Sequence, residues 1–154
     1  MPGLLHGWPS ATSSGLESGM SKSGPHRLTE TGALLSPALE LITKTITPDF
    51  YQQLDADFDG CKGHVLVAEH AFEGAWPTWE MHPKGDELVY LLEGDCDMVL
   101  RTANGDVTIR LDAPGQYVVV PRGVWHTATP HVPSRMLFMT PGEGTRNEVE
   151  PPAT

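Results

Sequence analysis

The chain has 154 residues, 39% of them hydrophobic, with 16 glycines, 14 prolines and a formal net charge of −10. That length suits one domain, and so much Gly and Pro favours many short elements with tight turns over long helices. The acidic balance argues against a nucleic-acid partner, whose phosphates need a basic surface, and against a polybasic membrane anchor.

Residues 1 to about 32 read as a flexible tail, rich in Gly, Pro and Ser and without a hydrophobic period. Met1 to Trp8 lacks the charged start and apolar run of a secretory signal. Met20 is a plausible second start, which would make residues 1–19 an upstream extension. Order is expected from Ala33. Leu39–Ile46 is strand-like, Asp49–Leu54 forms a short helical turn, and Asp55–Gly63 is an acidic loop without the ligand spacing of a calcium loop.

From His64 onward the pattern is strand after strand. Strands are expected over His64–Phe72, Trp76–His82, Glu87–Leu92, Cys96–Thr102, Val107–Leu111, Tyr117–Val120, Val124–Thr129 and Arg135–Thr140. Asn104-Gly105 is the strongest short hairpin signal among them. Gly142–Thr154 reads as a polar, flexible C-terminal tail. About nine short strands at this spacing close into an all-β barrel or a two-sheet jelly roll, since open edges invite aggregation. The barrel is assigned to residues 33–141.

No stretch approaches the ~18 apolar residues of a membrane span. Cys61 and Cys96 are too few for a disulfide framework and are not spaced as a metal pair; they read as thiols in a reducing compartment, and the cytoplasm is the expected location.

Four residues carry the chemistry. Glu80 and His82 lie two apart on an expected strand and so share a face. Pro83-Lys84-Gly85 can turn the chain back to bring Glu87 beside them, and His126 enters from a later strand. Two imidazoles and two carboxylates suit one divalent ion, Fe, Mn, Ni, Co or Zn. Trp79, Met81 and Trp125 should point away from this group. Tyr90, Met98, Tyr117, Met136 and Phe138 are either pocket lining or ordinary core, the core role being favoured. His64 and His70 share a strand face but have no third partner in sequence and read as surface or core histidines, while His131 reads as loop.

The stretch GAWPTWEMHPKGDELVYLLEG, residues 74–94, resembles the first cupin motif: Gly74, five residues, Glu80, one, His82, four, Glu87, six, Gly94. GQYVVVPRGVWHTATP, residues 115–130, resembles the second: Gly115, five, Pro121, one, Gly123, two, His126, three, Pro130. The family pattern has His where this chain has Glu80 and Asn where it has Pro130. The resemblance implies a double-stranded β-helix, or jelly-roll, barrel over about residues 38–140, a homodimer, and a metal bound by Glu80, His82, Glu87 and His126.

Three outcomes for Glu80 stand open. As a fourth ligand it makes the metal shell formally neutral. As a non-ligand it leaves a two-His, one-carboxylate set and becomes a catalytic general base. Its presence could also end metal binding, leaving a pocket for an organic ligand alone. The resemblance implies a metal-dependent enzyme on a small organic molecule, of dioxygenase or isomerase type. The alternative is a non-catalytic module that binds or senses a sugar or organic acid.

Overall fold

A computed structural model describes residues 23–151. Most of the expected N-terminal tail, with the second-start reading, and residues 152–154 lie outside the described residues. The elements in order are β1 (Thr31–Leu35), β2 (Leu41–Thr45), α1 (Phe50–Asp57), β3 (Val65–Phe72), β4 (Trp79–Met81), β5 (Glu87–Glu93), β6 (Cys96–Thr102), β7 (Gly105–Leu111), β8 (Tyr117–Val120), β9 (His126–Pro130), β10 (Ser134–Pro141) and β11 (Arg146–Glu148).

Strict alternation of buried and less buried residues builds the sheets. Val89 and Leu91 of β5, Cys96, Met98 and Leu100 of β6, Ala128 of β9, and Met136 and Phe138 of β10 all turn one face inward. Two antiparallel sheets result, of order β2-β1-β3-β10-β5-β8 and β11-β4-β9-β6-β7. From β3 onward the chain passes from one sheet to the other at nearly every step, the β6–β7 hairpin at Asn104-Gly105 being the exception. That alternation winds the strands into a jelly-roll barrel.

The core has two parts. One fills the space between the sheets around Val89, Leu91, Met98, Val120 and Met136. The other joins Leu34, Leu66 and Ala68 to Phe50 and Leu54 on the inner face of α1. Met98 and Met136 are thus core, and Tyr117, weighed as pocket lining, is exposed on β8. No helix among the described residues is long and apolar enough to cross a membrane.

Four expectations are corrected. The strand β1 begins at Thr31, inside the expected tail, because Gly32 leaves room for the Phe50 ring: a Cβ there would lie 2.5 Å from Phe50 Cζ. The helical turn runs on to Asp57 because burial of Phe50 and Leu54 fixes a helical face through an acidic stretch that reads as loop. The strand expected over Trp76–His82 narrows to β4, since Trp76 is tied to Ala128 O through its backbone N–H outside any ladder. Residues 142–148, expected as tail, return to the barrel, where β11 pairs antiparallel with β4. A polar segment needs no hydrophobic period when its backbone completes a sheet edge.

Gly94, the closing glycine of the first motif, has φ 103 and lies against Ser134, whose Oγ would sit 2.2 Å from an added Cβ. Ser134 Oγ in turn donates to Val132 O and accepts from the Asp95 amide. Gly94→Ala is therefore expected to lower unfolding free energy by about 1–3 kcal/mol in urea titration; an unchanged midpoint would show that the turn relaxes freely.

Candidate metal centre

Glu80 ends up across the β4–β9 ladder from His126 and across the β4–β11 ladder from Asn147. His82 follows β4 directly, and its backbone O accepts from the amide of Gly123, which fastens the second motif to the first. Glu87 opens β5 on the inward face. The four side chains meet: one ligand atom from each lies within 4.8 Å of all the others. His126 and Glu87 approach to 2.9 Å, His82 and Glu87 to 3.3 Å, and His82 and Glu80 to 3.9 Å. Metal–ligand bonds of about 2.0–2.2 Å place adjacent ligand atoms roughly 3 Å apart and opposite ones about 4.3 Å apart, so these separations fit one ion.

The hydrogen bonds around the group set its chemistry. Val124 O can only accept, so the 3.2 Å contact fixes the proton of His126 on Nδ1. Thr145 Oγ1 donates to Gly142 O and so accepts from His82 Nδ1 at 2.9 Å. Both Nε2 atoms then carry lone pairs toward the centre. Thr140 Oγ1 donates to Glu87 Oε1 at 2.6 Å and leaves Oε2 facing them. His82 Nε2, His126 Nε2 and Glu87 Oε2 are buried without a hydrogen-bond partner. Three buried acceptors facing one another have no donor to share; only a cation or a proton relieves them. The donor set and the orphaned atoms fit a divalent metal.

Burial pushes the Glu87 carboxyl up, but the facing imidazoles of His126 and His82 outweigh it and hold it at about 2. Burial likewise works against protonated His126, and Glu87 outweighs it, so His126 lies above its ordinary value. Glu80 differs. Its side chain is 32% exposed against 1% for Glu87, and burial followed by the nearby Glu87 charge raises its carboxyl.

Both motifs thus deliver their ligand positions to one point inside a two-sheet jelly roll. The fold is a two-sheet jelly-roll barrel with the four residues inside it. No protein-family profile and no curated protein matches the chain. Among solved structures it is similar to a cupin-2 domain containing protein from Shewanella frigidimarina, at 25% identity over 50% of this chain and 70% of that one, TM-score 0.43. It is also similar to an oxalate oxidase, at 20% identity over 53% and 44% of the two chains, TM-score 0.45. A third is hydroquinone 1,2-dioxygenase from a Sphingomonas species, at 20% identity over 49% and 58%, TM-score 0.42. The chain spans less than two thirds of the latter two proteins.

Beside the four residues this barrel opens a cavity of about 660 Å³, lined by Glu80, His82 and Glu87 and by Tyr51, Leu54 and Asp55 of α1. His64 and His70, read as surface or core, also line it, and His70 Nε2 lies 3.0 Å from Tyr51 OH. Phe138 lines the cavity as well as the core, while Met81 and Trp125 are buried away from it. Trp79 carries the Arg101 guanidinium 4.2 Å above its ring, and His131 pairs with Asp97 at 2.9 Å. Thr140 and Thr145 had no signal in the sequence, being isolated threonines outside both motifs.

Thr145→Val removes the acceptor that orients His82 and is expected to weaken metal binding about 10–100-fold in chelator competition; unchanged affinity would show that the tautomer is fixed otherwise. Metal and protons compete for the two imidazole Nε2 atoms, and Glu87 favours the protonated form of His126. The rise in melting temperature on adding metal is therefore expected to grow as pH increases through the histidine range and to vanish in acid, by differential scanning fluorimetry. A pH-independent shift would contradict this linkage.

Proposed function

We propose that Glu80, His82, Glu87 and His126 hold one divalent metal ion and that the chain is a metal-dependent enzyme on a small organic molecule, with oxygenative cleavage the first reaction type and isomerisation the second. The observation that carries this reading is the set of three orphaned acceptors beside a cavity of ligand size. A metal bound there would act as a Lewis acid toward a substrate oxygen. The barrel wall excludes water, and Thr140 and Thr145 hold the ligand side chains in one orientation.

A second reading of Glu80 is favoured by its greater exposure, its longer separation from His82 and its raised carboxyl. Here His82, Glu87 and His126 alone ligate, and Glu80 Oε2 takes a proton from substrate as general base.

Metal content by inductively coupled plasma mass spectrometry decides between them, on protein purified without an affinity-metal column. Wild type is expected to hold a single equivalent and His126→Ala none. Loss of metal in Glu80→Ala makes Glu80 a ligand; retention makes it a base. Wild type without metal even after reconstitution would overturn both.

A further inference from the structure

We propose that the cavity takes a neutral, planar aromatic molecule bearing a hydroxyl group, a ligand class that rests on reading the cavity as the substrate chamber of the metal centre. One wall is a continuous aromatic surface. Phe72 and Trp76 have ring centroids 5.2 Å apart, Trp76 and Phe138 5.7 Å, and Phe72 and Phe138 6.1 Å. His70 extends it, 5.6 Å from Phe138. All four rings line the cavity, tilted 40–78° to one another, so this side of it is dominated by aromatic carbon.

Charge narrows the class. The cavity lining includes the carboxylates of Asp55, Glu80 and Glu87 and contains no Lys or Arg. A divalent ion held by Glu80 and Glu87 is formally neutralised, which leaves no positive field to draw in a carboxylate or phosphate. Trp76 presents its ring to the cavity, while its Nε1 is buried without an acceptor. The His70–Tyr51 pair provides a polar contact. The rest of the wall mixes apolar Leu34, Leu54, Leu66 and Ala68 with polar His64, Thr78 and Asn147.

The test uses three probes of matched size on the full chain: 4-methylphenol, 4-methylbenzoate and 4-methylcyclohexanol, which separate charge from planarity. In isothermal titration calorimetry 4-methylphenol is expected to bind at least about tenfold more tightly than either of the others. Phe72→Leu, which keeps an apolar side chain but removes a ring, is expected to abolish the advantage over 4-methylcyclohexanol. Equal or tighter binding of 4-methylbenzoate, equal binding of 4-methylcyclohexanol, or no binding of 4-methylphenol would each overturn the proposal. Metal content of the same samples is measured in parallel. Protein that ranks the probes as expected but holds no metal would refute the metal centre while upholding the ligand class.

Discussion

Three buried lone pairs that face one another govern this molecule. His82 Nε2, His126 Nε2 and Glu87 Oε2 converge because each partner atom of those side chains is already engaged, by Thr145, Val124 O and Thr140 respectively. Leaving such groups unsatisfied costs about 1–3 kcal/mol each, so the arrangement makes sense only around a positive charge. Glu87 beside His126 raises the imidazole above its ordinary value, so a proton is the competitor of a metal at this point. With a metal, the same atoms become ligands. Strands from both sheets contribute to this point, and the jelly-roll winding brings them there.

The fold was legible because its signals are local. Period-two alternation marks β5, β6 and β10, and the Asn-Gly pair marks the turn between β6 and β7. The site was legible because motif spacing survives where residue identity drifts: Glu80 stands in a His position yet still reaches the group. What escaped depends on contacts distant in sequence. The ladder of β11 with β4 involves no hydrophobic pattern, only backbone pairing, and it carries in its wake Thr145, the partner of His82. Likewise β1 starts two residues inside the tail-like stretch, where Gly32 makes room for the Phe50 ring and the strand pairs with β2 and β3. His70 gained a role from Tyr51 on a helix that sequence reads as a shorter turn.

The exchange of His for Glu at position 80 ties the site to its cavity. It places a carboxylate at the most exposed of the four positions. In the proposed four-ligand site the metal's charge is formally neutralised, and among the described residues the cavity wall has no Lys or Arg to restore a positive field. Electrostatics and the aromatic wall then favour the same ligand, uncharged and flat, and the geometry of the centre need not change to achieve it.

The central claim, that a cation occupies the point between the three buried acceptors, is tested most directly by anomalous X-ray diffraction from crystals of metal-loaded protein at the absorption edge of the metal. The account predicts an anomalous peak about 2.0–2.3 Å from His82 Nε2, His126 Nε2 and Glu87 Oε2. A metal peak elsewhere, or none at this point with the His126–Glu87 pair intact, would contradict it.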